Sequence, residues 1–218
     1  MAGRALLIDS ADLDDVASAA ALGFVSGVTT NPTLMRRATA EPLKHLGELL
    51  AASGLPEVYY QPTGARGPLL DEAVEAWSLD PDRVVLKVPA TPSGAPLARE
   101  LVSRGARVAL TAAQDPVAMA VAEAIGCHAV IPYVDRALRD PRVASELVRD
   151  LVALRTGPTL VVAASVKSAG QLTRALADGA DAVTAPLDVL AAVLGHPAPL
   201  EAERAFEAEY AAEPGTDR

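Results

Sequence analysis

Arg83-Val84-Val85-Leu86-Lys87-Val88, then Pro96-Leu97-Ala98-Arg99-Glu100-Leu101-Val102-Ser103, then Arg107-Val108-Ala109-Leu110-Thr111 follow one another within residues 83–111. The outer two runs are short, apolar and rich in β-branched residues, as strands covered on both faces are. The middle run carries Ala and Leu in a helical pattern. Strand, helix, strand in this order reads as a βαβ unit of a parallel sheet. The same alternation continues in both directions. Further strands are expected at Ala5–Asp9, Val25–Val28, Glu57–Gln61, Ala129–Val134, Thr159–Ala164 and Asp181–Thr184. Helices are expected at Asp12–Leu22, Pro42–Ala52, Leu69–Trp77, Pro116–Ile125, Val143–Leu154, Ala169–Ala177 and Pro186–Leu194. About eight such units in 218 residues fit one (β/α)8 TIM-barrel domain near its lower size limit. A doubly wound open sheet is the alternative, but no Gly-x-Gly-x-x-Gly follows the first strand.

No low-complexity tract or linker divides the chain, so residues 1–218 read as a single domain. An extra acidic helix is expected at about Leu200–Tyr210. Its Leu200, Ala205, Phe206 and Tyr210 form a stripe for packing on the barrel or on a neighbouring subunit. The short tail Glu213–Arg218 is expected to fray.

Composition narrows the function. Net charge is −9 and the isoelectric point about 4.8. With no stripe of Lys or Arg and only 3% aromatic residues, neither a nucleic-acid surface nor a base-stacking platform is expected. Cys127 is the single cysteine, which excludes an internal disulfide and suits a reducing compartment. No secretory leader is expected from the residues after Met1, and no run reads as long and apolar enough to span a bilayer. The expected location is the cytoplasm. His45, His128 and His196 lack metal-ligand spacing. Cys127 and His128 are strand neighbours that point to opposite faces, so they do not read as a dyad.

Of 19 basic residues only Lys44, Lys87 and Lys167 are lysines, and Lys87 lies inside an apolar strand. Burying an ammonium is costly, and the cost is relieved by losing the proton. The product is a nucleophilic amine, which arginine cannot supply. A Schiff-base enzyme follows; the plainer alternative is a lysine that snorkels to solvent or meets a carboxylate. In a barrel, chemistry is built at the C-terminal ends of the strands. Polar groups collect there: Asp9, Thr29 with Thr30-Asn31-Pro32, Gln61, Lys87, Thr111, Tyr133 with Arg136, and Ser165 with Lys167. Singly, each has a local explanation such as a turn or helix cap, and Asp9, Ser10 and Asp12 compete to cap the first helix. Together they form a set for carbonyl chemistry. Lys87 attacks a ketone. Tyr133 acts as general acid/base through a water held by Gln61 and Thr111. Asp9 and Asn31 bind hydroxyls, Asp9 taking a proton during carbon–carbon cleavage. Arg136 and Ser165 bind phosphate.

Four segments resemble the transaldolase family: Gly27-Val28-Thr29-Thr30-Asn31-Pro32-Thr33-Leu34, Leu86-Lys87-Val88-Pro89-Ala90-Thr91, Pro132-Tyr133-Val134-Asp135-Arg136 and Ala163-Ala164-Ser165-Val166-Lys167. They recur in the family's order between Leu6 and about Tyr210. The resemblance implies a compact (β/α)8 barrel, Lys87 as the Schiff-base lysine, no metal or organic cofactor, and a homo-oligomer, a pentamer or decamer, whose C-terminal helix reaches a neighbour. Gln61, Tyr133 and Thr111-Ala112-Ala113 resemble the fructose-6-phosphate aldolase branch, since transaldolases usually carry glutamate, phenylalanine and bulkier apolar residues there. The implied reaction is reversible cleavage of a ketose phosphate such as fructose 6-phosphate into dihydroxyacetone and an aldehyde. The alternatives are transfer of a dihydroxyacetone unit between sugar phosphates, and a non-catalytic sugar-phosphate-binding barrel. Two features depart from the family. Tyr59-Tyr60 replaces smaller residues and is expected to put a ring beside the reacting centre. Asp135 is expected to pair with Arg136 and weaken phosphate binding.

Overall fold

The structure, a computed structural model, describes residues 4–64, 67–143 and 146–211. In chain order the elements are β1 (Ala5–Asp9), α1 (Leu13–Ala21), β2 (Val25–Thr29), α2 (Pro32–Ala38), α3 (Pro42–Ser53), β3 (Glu57–Tyr60), α4 (Leu69–Ser78), β4 (Val84–Pro89), α5 (Gly94–Ser103) and β5 (Arg107–Ala113). They continue with α6 (Ala118–Ile125), β6 (Ala129–Pro132), α7 (Val134–Arg139), α8 (Leu147–Leu154), β7 (Leu160–Ala163), α9 (Ala169–Ala177), β8 (Ala182–Ala185), α10 (Leu187–Ala192) and α11 (Pro197–Ala211). The eight strands are parallel and close into a barrel in sequence order, β8 returning to β1. The expected (β/α)8 barrel with an extra C-terminal helix is therefore the observed architecture, and the open sheet is excluded. The fraying expected for Glu213–Arg218 falls outside the described residues.

Alternation along each strand divides the apolar residues between two compartments. Outward residues such as Ile8, Val28, Leu86 and Leu110 join the helices' inner stripes, Leu46, Leu49, Leu101 and Leu151 among them, in one continuous layer. Each such fully buried side chain contributes roughly 1.5–3 kcal/mol. Inward residues fill the barrel itself: Leu7, Tyr59, Val85, Ile131, Val162 and several alanines. Space there is tight. A Cβ on Gly27 would come within 2.4 Å of Leu7 Cδ2.

Local signals start and stop the elements. Asp12 wins the competition to cap α1, accepting hydrogen bonds from the backbone N–H groups of Asp14 and Asp15 at 2.9 and 3.1 Å. Asp9 is thereby left to the barrel mouth. Two short helices, α2 and α7, stand where no helix was expected. Asn31 caps α2, accepting from Thr33 and Leu34 N–H at 3.0 Å each, with Pro32 in its first turn. Arg36 and Arg37 lie in the last turn of that helix. The sixth strand ends at Pro132, and Tyr133 keeps only an isolated bridge to Ala164 before α7 begins. In α11 no residue is buried, and Phe206 and Tyr210 are exposed. Its apolar residues therefore do not pack on this chain's own barrel. No helix among the described residues is long and apolar enough to cross a membrane.

Candidate active site

A cavity of about 420 Å³ opens at the C-terminal mouth of the barrel. Its lining includes Asp9 from β1, Asn31 before α2, Gln61 after β3, Lys87 from β4 and Thr111 from β5. Tyr133, Arg136, Ser165 and Lys167 complete it from the β6 and β7 ends. Eight of the nine expected site residues are therefore brought together. Thr29 is the exception, since it is fully buried and lies behind the lining. Its hydroxyl donates to Asp9 Oδ1 at 2.9 Å and meets the Thr184 hydroxyl at 2.6 Å, so it fixes the Asp9 carboxylate instead of facing the cavity.

Lys87 is 3% exposed, and its Nζ donates to the Thr30 carbonyl at 2.6 Å. Burial lowers its pKa from 10.5 to about 8, against the opposing pull of the Asp9 carboxylate. Near neutral pH a small but useful fraction of this amine is unprotonated. The snorkelling alternative does not describe it. Thr111 donates to the Tyr133 hydroxyl at 3.5 Å, a long contact that joins the two across neighbouring strand ends. A register shift between Thr111 and Ala113 puts Ala112 at φ 59 beside the cavity. Ser165 is the other non-glycine residue at positive φ among the described residues, at φ 61, and it too lines the cavity. Strained backbone of this kind concentrates at functional sites.

The Arg136 guanidinium lies 4.8 Å from the centre of the Tyr133 ring, a cation–π contact. Asp135 does not pair with it. Because α7 is helical, Asp135 meets the residue four positions on, Arg139, at 2.6 Å, and also accepts from the Gln171 amide at 3.2 Å. Burial pushes the Asp135 carboxyl up, but the Gln171 and Arg139 hydrogen bonds outweigh it and hold the group below its ordinary range. Tyr59 does turn into the barrel, yet its hydroxyl points away from Lys87 and donates to Glu57 Oε2 at 2.9 Å. Tyr60 turns outward and donates to Glu72 at 2.7 Å. Cys127 is buried, and burial pushes its thiol up to about 12. Lys167, placed by the sequence beside Ser165 at the same rim but given no role there, also lines the cavity.

Residues 66–217 match the model of the transaldolase/fructose-6-phosphate aldolase family. This chain belongs to that family. Relatives named probable transaldolase agree over most of its length. The protein from Kosmotoga olearia is 30% identical over 201 residues, covering 88% of this chain and 89% of the relative. That from Desulforudis audaxviator is 32% identical over 195 residues, covering 88% and 90%. That from Maridesulfovibrio salexigens is 28% identical over 206 residues, covering 93% and 96%. The chain is thus a transaldolase-type enzyme, and the polar cavity lies at the barrel mouth where such folds carry their chemistry. A non-catalytic barrel is set aside.

Proposed function

We propose that this transaldolase-family enzyme is a class I, Schiff-base aldolase that reversibly cleaves a ketose phosphate such as fructose 6-phosphate. The reading is carried by Lys87, an amine of lowered proton affinity buried beneath a polar cavity, with Asp9 and Tyr133 on the same lining. The free amine adds to the substrate C2 carbonyl and gives a carbinolamine. Tyr133, through a water held with Gln61 and Thr111, delivers the proton with which the oxygen leaves as water, and an iminium remains. Asp9, oriented by Thr29, takes the proton of the C4 hydroxyl. The C3–C4 bond breaks, its electron pair enters the iminium as an enamine, and the aldehyde departs. Protonation at C3 and hydrolysis then release dihydroxyacetone and restore the amine. Asn31 binds hydroxyls, while Arg136, Lys167 and the Ser165 hydroxyl hold the phosphate.

The second reading is transfer of the dihydroxyacetone unit to another aldehyde, favoured by the names of the relatives. Both reactions share the enamine, and what separates them is its fate. The Tyr133 hydroxyl supports protonation and release of free ketone. In this reading the whole chain works as one domain in the cytoplasm, and copies assemble through the exposed apolar residues of α11. Incubation with fructose 6-phosphate alone tests the assignment: aldolase activity liberates glyceraldehyde 3-phosphate without any acceptor. Strict dependence on added erythrose 4-phosphate would assign transfer instead.

A further inference from the structure

Half of the buried cluster inside the barrel is alanine: Ala5, Ala109, Ala129, Ala164 and Ala182. Side chains this small leave a void along the barrel axis unless something else fills it. Tyr59 is the largest residue of that cluster and is fully buried. In the strand register Tyr59 pairs with Val85, and Lys87 is the next inward-facing residue toward the C-terminal mouth. Tyr59 therefore leaves its strand one inward step below Lys87, and its side chain runs on toward Glu57. At its far end the hydroxyl donates to Glu57, whose other oxygen accepts from Arg107 at 2.8 Å, with His128 at 3.4 Å. Burial pushes the Glu57 carboxyl up, but the neighbouring His128, the Tyr59 hydrogen bond and the nearby Arg107 charge outweigh it and hold the group below its ordinary range. The Tyr59 backbone is tied to the site as well. Its carbonyl accepts from the Thr30 hydroxyl at 2.9 Å, and the Thr30 carbonyl is the group that holds Lys87 Nζ.

We propose that Tyr59 is a positioning residue whose ring forms the water-excluding floor of the Lys87 chamber, anchored from the opposite mouth by the Glu57–Arg107 pair. Its part in catalysis rests on the Schiff-base reading of Lys87. Without the ring, the Glu57 carboxylate and the Lys87 amine would face each other across an alanine-lined gap, and water with polar partners at both ends enters such a gap. A solvated Lys87 keeps its proton to higher pH. The charged or titratable groups that face it across the site, Asp9 on β1, Tyr133 after β6, Arg136 in α7 and Lys167 after β7, are left in place by a substitution at Tyr59.

The test is competitive acetylation of Lys87 by acetic anhydride as a function of pH, read by peptide mass spectrometry. It reports the free amine without requiring any ketone chemistry. The variants are Tyr59→Ser and Tyr59→Phe, each checked by circular dichroism; Tyr59→Asn, which keeps more volume, stands in if the serine variant does not fold. In the wild type the labelling midpoint is expected at about pH 8. Tyr59→Ser should raise it by about one unit or more, which is about tenfold less free amine at neutral pH. Tyr59→Phe retains the ring and should restore the wild-type midpoint. An unchanged midpoint in the serine or asparagine variant overturns the proposal, as does a phenylalanine variant that moves equally far. If borohydride and ketone leave wild-type Lys87 unmodified while the acetylation midpoints behave as stated, the floor stands and the aldolase reading falls.

Discussion

Two forces meet at the Lys87 ammonium. Desolvation favours loss of the proton, and the Asp9 carboxylate favours its retention; desolvation is the larger, leaving the pKa at about 8. The sign of one substitution follows. Asp9→Asn removes the opposing charge, so the pH midpoint for reaction at Lys87 should fall below that of the wild type. Ketose cleavage should still drop by about 10²-fold or more, because the variant lacks the base proposed for the hydroxyl proton. Acetylation profiles and steady-state assays at several pH values read the two effects separately. A midpoint that rises would mean that Asp9 does not act on Lys87 by charge. At this scale the sequence was informative where a residue type contradicts its surroundings, as a lysine in an apolar strand does. It was silent on direction. Nothing in Tyr59-Tyr60 says that one hydroxyl goes to Glu57 at the far mouth and the other to Glu72 outside the barrel.

Among elements, caps decide where the catalytic rim begins. Asp12 and Asn31 make the same kind of bond to helix N–H groups, but only Asn31 lines the cavity. Replacing either by alanine should cost about 0.5–2 kcal/mol in chemical denaturation. Asp12→Ala should leave turnover unchanged, whereas Asn31→Ala should lose it as well. Equal activities in the two variants would contradict a substrate role for Asn31. The eight strands were legible because parallel strands buried on both faces give continuous apolar runs. The short helices α2 and α7 were not. Six or seven residues span fewer than two turns, too few for a hydrophobic period to register, and each helix follows closely on a strand. Missing α7 is also why Asp135 was assigned to Arg136: an extended segment brings no i,i+4 partner, and a helix does.

For the whole molecule, α11 is the one helix among the described residues with no buried residue. Leu200, Phe206 and Tyr210 are exposed along it, at 41%, 68% and 95%. A second copy that covers them would explain why they are apolar. Light scattering of the full chain should give a mass several times 22.4 kDa, and removal of residues 197–218 should reduce it. A monomeric full-length chain contradicts this assembly.

The aldolase reading depends on the Lys87 amine of the fourth strand. The direct measurement is borohydride trapping with dihydroxyacetone, followed by peptide mass spectrometry, on the wild type and Lys87→Ala. The account predicts one adduct, confined to the peptide containing Lys87, absent from the variant, and increasing as pH rises through about 8. An unmodified wild-type protein, or an adduct on Lys44 or Lys167 that survives Lys87→Ala, would contradict it.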